Sequence, residues 1–120
     1  MKEPTIYRFT NYFGGTRHVF MVRDEYGSGG LCVMFVKRCG DHWEEWFTLT
    51  TPVHGLDGRQ ACIDSANISS NEICRFLELN GLAKPTGKSI VQEGWLYRCE
   101  HPVYEFTDKF FDEAFVRTND

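Results

Sequence analysis

Residues 68–86 constrain the fold most strongly, because they encode one short helix together with signals for both of its ends. Ser69 and Glu72 have the spacing of a capping box, in which each side chain accepts a hydrogen bond from a backbone N–H at the helix start. Ile68 and Ile73 have the spacing of the hydrophobic staple that accompanies such a box. The sequence therefore predicts a helix with Ser69 as its N-cap.

The same stretch predicts which face of the helix is buried and where the helix ends. Ile73, Phe76 and Leu77 recur at i, i+3 and i+4 and form one apolar stripe. Gly81 can adopt the left-handed conformation that closes a helix, and Leu82 can then fold back onto Leu77 in a Schellman contact. We expect this helix to pack on a sheet through its apolar stripe.

The remainder of the chain is typical of short antiparallel strands. Alternating, β-branched and aromatic segments predict strands at residues 5–13, 18–23, 31–37, 43–51, 61–64, 89–97 and 102–106, with turns at 84–88 and 98–101. Glycine-rich residues 27–30 lack the Lys-Ser/Thr of a phosphate loop and precede a strand, so they predict a hairpin turn. The predicted fold is a single α+β domain over residues 1–120. One well-capped helix packs on a twisted antiparallel sheet, and a short C-terminal helix covers 108–116.

Composition and charge exclude several functional classes. Apolar residues make up 42% and aromatic residues 15% of the chain, which is too much for a disordered segment. The 17 acidic side chains exceed the 13 basic ones, and a net charge of −4 argues against direct binding to nucleic acid. Five cysteines, an odd number within apolar runs, predict free thiols and a cytoplasmic protein. Since no apolar run has membrane-spanning length, no membrane association is expected.

Large aromatic side chains interleaved with acidic ones are the strongest candidates for a binding surface. Alternation along the fourth strand directs Phe47 and Leu49 to the core and predicts that Trp46 is exposed. Rigid aromatic residues are frequent interface anchors, and surrounding carboxylates favour a partner with a basic groove. The predicted partner-binding residues are Asp24, Glu25, Tyr26, Trp43, Glu44, Glu45, Trp46 and Trp95.

Candidate metal-binding and catalytic groups are fewer. Cys39-x-x-His42 and Cys99-x-His101 supply the two thiols and two imidazoles of a structural zinc site, and both pairs lie in predicted turns. The Cys-x-His spacing is tighter than usual, however, and the neighbouring acids raise rather than lower a thiol pKa. No catalytic residue and no cofactor is therefore predicted, while a zinc-stabilised or thiol-dependent module remains an alternative.

Two segments carry a resemblance to a known family. Ala61-Cys62-Ile63-Asp64, Asn67 and the run from Phe76 to Gly87 (FLELNGLAKPTG) are similar to a small uncharacterised domain family of gut bacteria and their mobile elements. The later set of Gly94, Cys99, Pro102, Tyr104 and Phe106 resembles the closing pattern of that family. The resemblance implies a mobile-element or phage setting and assigns no activity and no site residues.

Together these observations favour a non-catalytic protein-binding domain. The setting that the resemblance implies suggests a phage or mobile-element inhibitor of a host defence nuclease complex, of the anti-CRISPR or anti-restriction type. The acidic and aromatic surface would then bind a basic groove of its partner. A third alternative, beside the zinc or thiol module, is a homodimeric structural domain that buries the aromatic face against itself.

Overall fold

The chain folds into two antiparallel sheets with a helix packed against them, in a computed structural model that describes residues 3–117. The prediction of a mostly antiparallel sheet is confirmed, but the fold is richer in strand than the α+β class suggests and divides into two sheets. The helices of the described part are α1 (Ser70–Leu79) and α2 (Asp108–Glu113). Its strands are β1 (Tyr7–Thr10), β2 (Thr16–Glu25), β3 (Leu31–Cys39), β4 (His42–Thr48), β5 (Thr50–Thr51), β6 (Gln60–Ile63), β7 (Ala83–Glu93), β8 (Arg98–Phe106) and β9 (Phe115–Val116).

Leu49 joins the two sheets. The first sheet has the order β1-β2-β3-β4, with β9 added in parallel to β2, and the second has the order β5-β6-β8-β7. The backbone N–H of Leu49 donates to Val33 O at 2.8 Å, and its carbonyl accepts from Asp64 N–H at 3.0 Å. The predicted strand over 43–51 therefore crosses from one sheet to the other at this residue, which is a common way to turn a sheet corner.

A β-bulge in β4 changes the side on which Trp46 lies. Phe35 pairs with Phe47 but Val36 pairs with Glu45, so Trp46 is the extra residue between them. Both Trp46 and Phe47 consequently pack against the core, and the Trp46 ring lies 5.8 Å from that of Phe9. The predicted exposure of Trp46 is wrong, because the bulge interrupts the alternation at this residue and lets Trp46 and Phe47 pack on the same side.

Side chains from both sheets and both helices form one hydrophobic core. The predicted stripe of α1 is confirmed, since Ile73, Phe76 and Leu77 are all buried. The same core contains apolar side chains of the two sheets and of their connections: Phe9, Val19, Met21, Leu31, Val33, Phe35, Leu49, Ala61, Ile63, Leu82, Ala83, Tyr104 and Phe106. The short helix α2 adds Phe110, which is fully buried.

The two ends of α1 differ in how well they were predicted. The Schellman ending is confirmed, because Leu82 N–H donates to Leu77 O at 2.9 Å and Gly81 has φ +66°. The capping box is not formed: Ser69 makes no side-chain cap, and its Oγ instead accepts from Tyr12 N–H at 3.0 Å. The staple is also absent, since Ile68 is exposed.

The C-terminal half differs from the prediction in three places. Residues 94–97, predicted as the end of a strand, form the turn between β7 and β8, whereas residues 98–101, predicted as a turn, belong to β8. Residues 84–88 lie within β7, where the pairing with β8 shifts register. The last predicted helix is shorter, because α2 ends at Glu113 and β9 follows. Among residues 3–117, no helix has the length and apolarity to cross a membrane.

Candidate functional site

Trp43 lies on the face of the first sheet that is turned away from the core. Its ring packs against Phe20 at a centroid distance of 5.0 Å, and Phe20 in turn packs against Phe115 at 5.4 Å. These three side chains form a row of edge-to-face rings across β4, β2 and β9. Trp43 is 39% exposed at the end of the row, so part of its ring remains available to a partner.

The acidic residues beside Trp43 are partly neutralised within the chain. Glu45 pairs with Arg117 at 3.1 Å, and Glu44 Oε1 lies 2.8 Å from His42 Nε2. The hydrogen bonds to Glu44 and then Asp41 raise the pKa of His42, and the hydrogen bond from His42 lowers the pKa of Glu44. Since all of these groups are exposed, the pairs contribute little to stability and a charged partner can compete for them.

The side chain of Tyr26 holds two strands together and is not exposed for binding a partner. Its hydroxyl donates to Thr50 O at 2.9 Å and also lies 2.9 Å from Thr50 Oγ1, which accepts Val33 N–H at 3.2 Å. Burial raises the pKa of Tyr26. The side chain therefore ties the β2–β3 hairpin to β5. Of its two acidic neighbours, Asp24 is half-buried and accepts from Glu25 N–H at 2.7 Å, while Glu25 is exposed.

Trp95 lies at the tip of the β7–β8 hairpin and is 93% exposed. Leu96 and Tyr97 follow it and are 83% and 61% exposed, so three large apolar side chains project together. The turn is closed by Gly94 N–H, which donates to Tyr97 O at 2.9 Å. A Cβ at Gly94 would approach the Tyr97 ring to 1.9 Å, so only glycine lets this ring lie against the turn. Below the tip, Glu93 pairs with Arg98 at 3.2 Å.

Leu96 and Tyr97 were missed because residues 89–97 were interpreted as one strand, in which neighbours face opposite sides. The available signal was Gly94, because an isolated glycine within a strand pattern indicates an interruption at that point. Together with Trp95 they form what we call the hairpin tip, residues 95–97. Trp95 belongs to the β7–β8 hairpin of the second sheet, whereas Trp43 and Trp46 belong to β4 of the first.

The candidate zinc residues lie in different sheets. Cys39 and His42 flank the β3–β4 turn of the first sheet, whereas Cys99 and His101 belong to β8 of the second. Both ring nitrogens of His101 already form hydrogen bonds inside the protein, one with Ser65 and one with Gln92. In the described part of the chain, no group of three or more His, Cys, Asp and Glu residues is placed to hold a metal ion.

His101 forms a buried polar brace that was not predicted. Its Nδ1 accepts Ser65 N–H at 3.1 Å and lies 2.9 Å from Ser65 Oγ, so Nε2 carries the proton and donates to Gln92 Oε1 at 2.8 Å. A serine beside a histidine invites comparison with a nucleophile and its base. Here the Nδ1 lone pair is shared with a backbone N–H, and the neutral Gln92 provides no charge to stabilise an imidazolium. The arrangement therefore favours bracing over catalysis.

The thiols nearest this brace and the core are poorly suited to nucleophilic chemistry. Burial raises the pKa of Cys62 to about 11, and its thiol donates to His101 O at 3.8 Å. Burial also raises the pKa of Cys32 and Cys74. Since the thiolate is the reactive form, these three side chains remain protonated and unreactive at neutral pH. All five cysteines are free.

Comparison with known proteins adds no identification to this geometry. No protein-family model, no curated protein and no solved structure significantly matches the chain.

Proposed function

We propose that this protein is a non-catalytic protein-binding domain whose main contact is the hairpin tip. The observation that carries the proposal is the joint exposure of Trp95, Leu96 and Tyr97. Side chains so exposed contribute almost nothing to the core, yet a tryptophan or tyrosine buries about 150–250 Å² when it is covered. At about 25 cal/mol per Å², covering the Trp95 ring alone supplies roughly 4–6 kcal/mol before the costs of association.

The charge of the chain supports a basic partner. The net charge is −4, and Asp41, Glu44 and Glu45 are exposed and lie within two residues of the partly exposed Trp43 along the chain. A basic groove would gain long-range attraction from this surface, which raises the association rate more than the final affinity. In this proposal the first sheet steers the partner, and the hairpin tip supplies the apolar anchor.

The setting within this proposal follows the resemblance described above. The domain acts in the cytoplasm as a phage or mobile-element inhibitor of a host defence nuclease complex and occupies a basic groove there. Five free cysteines support a reducing compartment. The nuclease setting is the most specific part of the proposal, and the identity of the captured partner tests it.

Affinity capture from the native host, followed by mass spectrometry and a binding measurement, tests the proposal. We expect Trp95→Ala to weaken partner binding by at least about 30-fold, the effect of losing roughly 2 kcal/mol at a hot spot. Val91→Ala is the matched control, because Val91 is an exposed apolar residue on the stem of the same hairpin. Equal binding by the two variants would remove the hairpin tip from the interface.

The same preparation separates the alternatives. Concentration-dependent dimerisation that Trp95→Ala abolishes would favour a homodimer that buries its own tip. Bound zinc that disappears in the Cys39→Ser and Cys99→Ser variants would favour the zinc module. Binding that weakens with added salt and with Glu44→Lys would support the basic partner, since exposed charges are screened at physiological ionic strength.

A further inference from the structure

The strand β1 has a free edge. Within residues 3–117 it pairs only with β2, and it lies at the end of the first sheet. Asn11 N–H donates to Gly15 O at 2.9 Å, and this fixes the alternation: the N–H and C=O groups of Phe9 point to β2, and those of Arg8 and Thr10 point away. Tyr12 N–H follows the same alternation and reaches Ser69 Oγ beside α1.

A groove of about 280 Å³ runs between this free edge and α1. Residues 8–11 form one wall, and Phe76 and Leu79 of α1 form the apolar part of the other. Phe76 lies at the base and is nearly buried, whereas Leu79 is 79% exposed at the rim. The groove thus combines unpaired backbone groups on one side with apolar side chains on the other, as peptide sites that extend a sheet do.

The charged residues of the groove favour an acidic ligand. Arg75 on α1 borders the groove, and Arg8 on β1 carries a second guanidinium beside the same edge but on the opposite face of the sheet; Glu72 is the one carboxylate among the lining residues. No ion pair in the described part of the chain neutralises Arg8 or Arg75. Glu72 Oε1 is buried without a hydrogen-bond partner among residues 3–117, so the α1 wall contains one unsatisfied acceptor.

We propose that β1 and α1 bind an extended segment of a partner protein, which adds to the first sheet as a new edge strand with alternating apolar and acidic residues. Its backbone pairs with the outward N–H and C=O groups of Arg8 and Thr10. Because strand side chains alternate, one set enters the groove against Phe76 and Leu79, and the other set lies beside Arg8 on the opposite face.

A second copy of this chain is a poorer occupant. Two β1 edges related by a two-fold axis perpendicular to the sheet would keep both α1 helices on the same face. Each helix would then occupy the space that the other copy's groove requires, and Arg75 would approach its symmetry mate. A short acidic segment brings no helix and complements the arginines.

An acetylated and amidated ten-residue peptide of alternating valine and glutamate, labelled for fluorescence anisotropy, is the probe. We expect saturable binding and at least a tenfold loss of affinity in Leu79→Glu and in Arg8→Glu. Both side chains are exposed, so the variants should keep the far-UV spectrum and the melting temperature of the parent. Trp95→Ala should bind this peptide normally, which separates failure here from failure of the hairpin-tip proposal.

Backbone pairing is tested with N-methylated peptides. Two peptides are compared, one N-methylated on the odd residues and one on the even residues. The peptide whose blocked N–H groups face β1 should not bind, and the other should bind normally. The amide protons of Arg8 and Thr10 should exchange more slowly in the complex. The proposal would be overturned if the peptide did not bind at millimolar concentration, or if a valine–lysine peptide bound equally well. It would also be overturned if neither of the two methylated peptides lost affinity. Self-association that protects the same two amides would overturn it in favour of a second copy.

Discussion

Replacing Phe76 with alanine tests the contact that holds α1 on the first sheet. The Phe76 ring makes edge-to-face contacts with Tyr7, Phe9 and Phe35 at centroid distances of 5.5, 5.6 and 5.3 Å. The residue is only 7% exposed, and its neighbours belong to β1 and β3. Phe76→Ala therefore removes a ring that touches three others and leaves a cavity that the two strands cannot fill.

The expected cost follows from this burial. A buried Phe→Ala change costs about 3–5 kcal/mol, which includes the lost edge-to-face contacts. For a domain with a typical stability of about 5–15 kcal/mol, that is a large part of the total. With a urea m-value of about 1.5 kcal/mol/M, the unfolding midpoint should fall by about 2–3 M.

Urea unfolding followed by far-UV circular dichroism and tryptophan fluorescence measures this change. Leu79→Ala is the matched control, because Leu79 lies on the same helix but is 79% exposed. We expect the control to stay within about 0.5 kcal/mol of the parent. If Phe76→Ala lost less than about 1 kcal/mol at an unchanged m-value, the reasoning that this ring anchors α1 would be refuted.

Three further predictions concern the turn, the tip and the buried thiol. Tyr26→Phe should lower the free energy of unfolding by about 1–2 kcal/mol in the same urea assay, because it leaves the Thr50 carbonyl without its phenol donor; an unchanged midpoint would show that water replaces the phenol. Gly94→Ala should shift the Tyr97 ring resonances in an NMR spectrum while the melting temperature stays near that of the parent, since the exposed ring can swing away from the new Cβ. The folded pKa of Cys62 is raised from 9.0 to about 11, so its stabilising contribution is complete below pH 9 and is lost as pH rises toward 11. Urea midpoints between pH 8 and 10.5 should therefore fall less steeply in Cys62→Ala than in the parent, and parallel slopes would contradict this assignment.

Features that depend on neighbours along the chain were predictable. The stripe of Ile73, Phe76 and Leu77 follows from the helical period, and the ending at Gly81 follows from the one residue type that adopts positive φ without strain. The antiparallel strands likewise follow from local composition and closely spaced turns. These signals act over fewer than about ten residues, and the apolar stripe, the ending of α1 and the antiparallel pairing are present in the fold, whereas the capping box and the turns at 84–88 and 98–101 are not.

The candidate site was predictable only in part, because exposure depends on which strand pairs with which. Trp95 was identified from its residue type, but Leu96 and Tyr97 became visible only when the β7–β8 turn was located at 94–97. The bulge that turns Trp46 inward depends on how β4 pairs with β3. No local pattern specifies such a register shift, since the partner strand decides it.

Tertiary contacts also decided the hydrogen-bond partners of Ser69, at the start of α1, and of His101. Ser69 and Glu72 have the local spacing of a capping box, yet Tyr12 N–H, which is 57 residues away in sequence, takes the serine hydroxyl. His101 belonged only to the alternative zinc set, and Ser65 and Gln92 occupy both of its ring nitrogens. The sequence by itself determined the local elements and the ending of α1. Only the tertiary structure decided which polar groups meet and which rings face outward, because these choices depend on residues that are distant along the chain and adjacent in space.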